Sequence, residues 1–175
     1  MILKVFKEKS KKKYLNKMLS IRNVNVSEHK IKSLGIIIHI DEIDDFELFR
    51  GLSKELNILQ NNLKVIAYSS NDKNKQNFWD TCFINKDFGW NGKIKNVELN
   101  TFLETEFDAL ISYYTQDEIE LKLLTTLSQA KFKIGILQTD TRLNDLIIKT
   151  DLKEFNVFKK ELIKYLTILK KIKNE

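Results

Sequence analysis

Leu34-Gly35-Ile36-Ile37-Ile38-His39-Ile40 decides the fold. The run is apolar at successive positions and rich in β-branched residues. Such continuity marks a strand buried on both faces, as in a parallel sheet. Downstream, residues 41–56 place Ile43, Phe46, Phe49, Leu52 and Leu56 on one helical face. Asp41, Glu42, Asp44 and Asp45 stand at the start of that helix, where its dipole favours anions. Residues 63–68 read as a second strand, and 107–114, 132–137 and 146–148 as further ones. A short strand is expected at 81–84. Helices are expected near 98–105, over 116–130 and over 151–173. The last keeps Phe155, Phe158, Leu162, Tyr165, Leu166, Leu169 and Ile172 on one face, and Asp151 with Glu154 gives it a capping-box-like start. Strand–helix repetition predicts an α/β fold, a Rossmann-like three-layer sandwich with a mostly parallel sheet and a long C-terminal helix.

Upstream of the first strand lies a basic arm, residues 1–33, with ten Lys/Arg against two Glu, net +8. Residues 34–175 form the α/β domain and carry net −2. Lys7, Lys9, Lys11, Lys12, Lys13 and Lys17 crowd one stretch whose self-repulsion an anionic partner would relieve. RNA or a ribosomal surface is the expected partner, and a membrane surface is less favoured. Phe6, Tyr14, Leu15, Met18, Leu19 and Ile21 give the arm an apolar side at helical spacing. Docking of that side on the body is the first expectation.

The composition excludes much chemistry. Among 175 residues there are one cysteine, two histidines, five glycines and no proline. A disulfide framework, a multi-cysteine cluster and a histidine-rich metal site are therefore ruled out. Glycine-built phosphate loops are nearly excluded: Asp41-Glu42-Ile43-Asp44 follows the first strand where a dinucleotide fingerprint needs glycines. No apolar run approaches the ~20 residues of a membrane span, and no signal peptide is evident. A cytoplasmic setting follows as an expectation. Cys82 reads as a small buried hydrophobe and His39 as a satisfied core group. Asp87-Phe88-Gly89 and Gly89-Trp90-Asn91-Gly92-Lys93 imitate kinase and P-loop signatures without their companions.

The expected role is a non-enzymatic interaction module working through the arm. The alternative is a nucleotide or sugar site, binding or catalytic, at the carboxyl edge of the sheet, where open α/β sheets take their ligands. Its candidates are Asp41, Tyr113, Asp117, Asp140 and Arg142. No catalytic residue, metal or cofactor is assigned. The aromatic stretch 78–90 either covers a sheet edge or offers Trp79 and Trp90, with Lys86 and Lys93, as a stacking surface.

Several stretches together carry a resemblance: Ser33-Leu34-Gly35-Ile36-Ile37, Lys86-Asp87-Phe88-Gly89-Trp90, Phe107-Asp108-Ala109-Leu110-Ile111-Ser112-Tyr113-Tyr114 and Ile134-Gly135-Ile136-Leu137, with Lys13-Tyr14-Leu15-Asn16 in the arm. The chain resembles a family of small uncharacterised proteins of Bacteroidota. That resemblance implies a lineage and a cytosolic setting, and no activity. Residues 107–136, with Ala130-Lys131-Phe132-Lys133-Ile134-Gly135, also look like the N-terminal Rossmann-like half of heptosyltransferase-type glycosyltransferases. Those enzymes need a second, nucleotide-sugar domain, for which this chain is too short, so the likeness implies the fold alone.

Overall fold

The computed structural model describes residues 1–24, 28–73, 82–137 and 139–173. Six strands, β1 (Leu34–His39), β2 (Leu63–Ser69), β3 (Cys82–Ile84), β4 (Ala109–Tyr113), β5 (Lys133–Gly135) and β6 (Leu146–Ile147), form one sheet in the order β3-β2-β1-β4-β5-β6. Every pairing is parallel. This is the strand order of Rossmann sheets, with the reversal of winding between β1 and β4. β1 sits at the centre, and its continuous apolarity is explained by its two faces. Leu34, Ile36 and Ile38 join the core on one side, and Ile37 joins the core on the other.

The helices are α1 (Ile2–Ser20), α2 (Phe46–Glu55), α3 (Val97–Glu104), α4 (Ile119–Leu127) and α5 (Phe155–Ile168). Phe49 and Leu52 of α2 pack with Phe158, Leu162 and Leu166 of α5 on one face of the sheet. Leu99 of α3, Leu121 and Leu124 of α4, and Leu15 and Leu19 of α1 cover the other.

Three expectations about helix bounds are corrected. Residues 41–45 are turn and loop: Glu42 and Ile43 donate to the His39 carbonyl, and Asp45, whose carboxylate accepts from the Glu47 amide at 3.0 Å, is the N-cap of α2. Asp151 does not cap α5. Its carboxylate holds the preceding turn by accepting from Lys153 N at 2.9 Å, and Glu154 is the N-cap, without a side-chain bond. α5 also stops near Ile168. Lys170 adopts φ +56°, Lys170 N donates to Thr167 O, and Lys171 N to Leu166 O at 2.8 Å. That is a Schellman closure with lysine in the usual glycine place. α2 ends identically, through Asn57 at φ +56° and Ile58 N donating to Ser53 O.

The arm is a helix on the body. α1 packs along α4, burying Leu15 and Leu19, and half-burying Tyr14 and Met18. Phe6 and Ile21 were expected on the same apolar side but are exposed. Ile21 is the C-cap, outside the helix, and for Phe6 the cause is length: nineteen residues of α1 make about 28 Å, against about 14 Å for the nine of α4 at ~1.5 Å per residue. The first turns of α1 therefore run past the helix that supports them, leaving Met1, Ile2, Leu3, Val5 and Phe6 exposed.

Candidate functional site

The six lysines expected to meet an anionic partner do not act as one set. Lys11 lies on the packed side, four residues before Leu15 and eight before Leu19, and is buried. Its ammonium pairs with Glu120 of α4, also buried, and sits 5.7 Å above the Phe88 ring. Lys9, Lys13 and Lys17 are offset by two residues, about 200° around the helix, and line its outer face; all three are exposed. Lys7 and Lys12, joined by Lys4, border a groove between α1 and the turn after β3.

That groove has a volume of about 1030 Å³, at the upper end of the roughly 300–1,000 Å³ of small-ligand pockets. Tyr68, Phe88 and Ile119 contribute its apolar part, and Lys86, Trp90 and Lys95 its far wall. Its acids are Glu8, Asp72, Asp117, Glu118 and Glu120. Most are already engaged: Glu120 with Lys11, Asp72 with Lys86, Asp117 with Lys122. Glu118 lies 3.3 Å from His39 Nε2. Lys4, Lys7, Lys12 and Lys95 form no ion pair among the described residues, which leaves the groove with a surplus of available positive charge on its α1 and turn sides. Asp72 holds the Lys86 ammonium above its usual range by hydrogen bonding and charge. Burial, then the carboxylates of Glu120 and Glu118, push the Tyr68 phenol upward, so it remains a neutral donor, here to Asn85 Oδ1 at 3.1 Å.

The turn that carries Trp90 is tightly braced. Asp87, in the kinase-like tripeptide, is buried and accepts from Ile84 N at 2.9 Å and Asn96 Nδ2 at 3.0 Å. Lys95 N donates to Asp87 O at 2.8 Å, Gly89 N to Lys93 O at 2.6 Å, and Gly92 N to Gly89 O at 3.0 Å. Gly92 has φ +88°, and a Cβ there would come within 2.9 Å of Tyr14. The turn is thereby seated against α1, and Asp87 serves as its knot.

The carboxyl-edge candidates are not brought together. Tyr113 points into the α2/α5 layer, where its hydroxyl donates to Leu152 O at 2.9 Å; burial, then Asp151, pushes that phenol up to about 12. Asp140 and Arg142 form a forked pair, with Nε–Oδ1 2.9 Å and Nη2–Oδ2 2.7 Å, and Arg142 also donates to Asn16 of α1. The Arg142 hydrogen bond holds the Asp140 carboxyl below its usual range. Asp41 and Asp117 remain near the winding reversal. There, Glu42 accepts from the Thr115 amide at 3.0 Å and from its hydroxyl, tying the loops after β1 and β4 together. His39 is core, as expected, but it is not satisfied: neither ring nitrogen has a hydrogen bond of good geometry among the described residues. Cys82 is fully buried. Among the described residues no group of three or more His, Cys, Asp or Glu is placed to hold a metal ion, and no helix is long and apolar enough to cross a membrane. Trp79, Phe78 and Thr81 lie outside the described residues.

Lys4, Lys95, Phe88, Tyr68 and Glu120 were not among the sequence candidates. One signal was available for Glu120. Lys11 occupies an apolar helix position, so it needs a buried acid, and Glu120 is an acid among the leucines of α4.

The chain belongs to a family of unknown function, DUF6913, whose model matches residues 7–169. No curated protein and no solved structure matches it.

Proposed function

We propose that this α/β protein is a non-enzymatic binding module for a nucleic-acid strand, RNA free or at a ribosomal surface, held in the groove between α1 and the Trp90 turn. The observation that carries this reading is the sorting of charge on α1. One lysine turns inward and anchors the helix, while Lys4, Lys7 and Lys12 line the groove opposite Lys95. Cations along one groove suit a run of phosphates, and three of its five acids, Glu120, Asp72 and Asp117, are already paired with lysines. The switch point suits phosphate less: acids surround it, and it has no glycine turn to admit a phosphate to the backbone.

Four lysines meeting four phosphates of a single strand predict a log–log salt slope of about −3. Fluorescence anisotropy of a labelled 12-nucleotide RNA between low and moderate salt measures it. Lys7→Glu with Lys12→Glu should reduce both the affinity and the slope. Retained RNA binding with an unchanged slope in that variant refutes the reading. So does flotation of the protein on anionic vesicles with no RNA binding at all, which would assign the exposed apolar end of α1 to lipid.

A further inference from the structure

Trp90 is 62% exposed. A large aromatic at the tip of a turn loses the free energy of burial, and neighbours usually cover it. Here no other ring stacks on it among the described residues. The turn beneath is instead braced on both sides of Trp90, by the Asp87 carboxylate, by the Gly89–Lys93, Gly92–Gly89 and Lys95–Asp87 backbone bonds, and by the close approach of Gly92 to Tyr14. The indole is thus presented on a rigid mount, which lowers the ordering cost of anything that stacks on it.

The surroundings select what stacks. Lys86 and Lys95 flank the turn, and Lys4, Lys7 and Lys12 lie across the groove. An apolar ring alone would not need Lys4, Lys7, Lys12 and Lys95 along the same groove. A bare phosphate would not need the indole. A nucleotide unit uses both, with its base face on the indole and its phosphates on the ammonium groups. The remaining wall carries Glu118, with Asp117 paired to Lys122, whereas α1 brings Lys4, Lys7 and Lys12 against Glu8 alone, so the sugar–phosphate track belongs on the α1 side. A duplex keeps its base faces stacked internally and cannot offer one to Trp90, whereas every unpaired base can.

We infer that Trp90 is a base-stacking platform and that the groove takes single-stranded nucleic acid in preference to duplex. This rests on the proposed function and specifies the ligand class of the same groove.

The test compares the full chain with Trp90→Ala and Trp90→Phe, using labelled 12-nucleotide oligoadenylate, 12-nucleotide oligouridylate and a 12-base-pair RNA duplex. The expected result is tighter binding of both single strands than of the duplex. Trp90→Ala should lose roughly ten-fold or more for the single strands, at the scale of one stacked base. Trp90→Phe should recover part of that loss, and the salt slope should not change, because no cation is removed. The side chain is exposed, so circular dichroism and the melting temperature should match the parent. Salt-dependent RNA binding that Trp90→Ala leaves unaltered, or equal affinity for duplex, overturns the inference and leaves the proposed function standing. Absence of binding to all three probes overturns both.

Discussion

Replacing Lys11 by methionine tests whether α1 is held by the ion pair described above. Both side chains are about nine-tenths buried, with 11% of Lys11 and 10% of Glu120 exposed. The substitution keeps most of the aliphatic bulk and removes the charge. It leaves the Glu120 carboxylate inside without a partner, a situation that costs about 3–5 kcal/mol. The structure limits that figure, because α1 could release instead of keeping the carboxylate buried. Release forfeits chiefly the burial of Leu15 and Leu19, about 3–6 kcal/mol in all at ~1.5–3 kcal/mol per side chain. Either route gives a loss of about 3 kcal/mol or more, and they differ in where it shows. Urea unfolding followed by circular dichroism reports a global loss. Trypsin cutting at the lysines of α1, ahead of any other site, reports release. Lys11→Met combined with Glu120→Leu removes both charges, and should return the stability to within about 1 kcal/mol of the parent or better. A single substitution costing under about 1 kcal/mol, with the double variant equal to the sum of the singles, would show that the pair couples nothing and that the other contacts of α1, Leu15 and Leu19 foremost, hold the arm without it.

Lys133 governs an alkaline trend. Burial, with Arg22 adding to it, lowers its ammonium from 10.5 to about 7, so between those values the unfolded chain binds more protons than the folded one. Stability should therefore rise with pH, by about 2 kcal/mol from pH 7 to pH 9, in denaturant titrations, and Lys133→Met should flatten that slope; a parent protein that weakens over the same range contradicts the burial argument. Gly35→Ala should destabilise by about 1–3 kcal/mol, because its Cβ would stand 2.8 Å from Phe107 Cδ2 in the central strand. Thermal unfolding of Gly35→Ala with and without Phe107→Leu checks this, and the second change should recover part of the loss if that contact is the cause.

The fold was legible because its deciding signal is local. Six consecutive residues of β1 are buried, and only a central strand covered on both faces asks for that. The helix ends were not legible, since both Schellman closures place a non-glycine residue at positive φ, Asn57 in α2 and Lys170 in α5. Neither has the glycine or proline that punctuates a sequence, and what favours each is the burial of the next residue, Ile58 or Lys171, under tertiary contacts. Tyr113 was drawn into the carboxyl-edge set by proximity to the strand end. Period-two alternation would have separated it from Tyr114, since the two point to opposite layers. The groove was out of reach for a different reason. Lys11 and Glu120 are 109 residues apart, the two walls of the groove, α1 and the Trp90 turn, are also distant in the chain, and no pattern within one chain segment reports that closeness.

The placement of the groove follows from what this Rossmann-ordered sheet has given up. A sheet of this order ordinarily takes its ligand at the winding reversal, where a glycine turn lets phosphate reach backbone amides at a helix start. Here the first turn carries Asp41 and Glu42, and Glu42 is spent on tying the loops after β1 and β4 together. The four residues before α2 include three carboxylates, so the helix dipole that would attract phosphate already faces anions. Positive charge enters instead from outside the sheet, on a helix longer than its support. Docking by Leu15, Leu19 and the Lys11–Glu120 pair fixes the rotation of α1, and that rotation leaves Lys4, Lys7 and Lys12 bordering the groove and Lys9, Lys13 and Lys17 on the outer face. The buried lysine is thus the one that aims the others. If it is lost, the charge of the arm is nearly unchanged but no longer points along one groove. A Lys11→Met chain should accordingly keep a weak, steeply salt-dependent attraction to RNA and lose the preference for single strands that depends on Trp90 and α1 being held face to face.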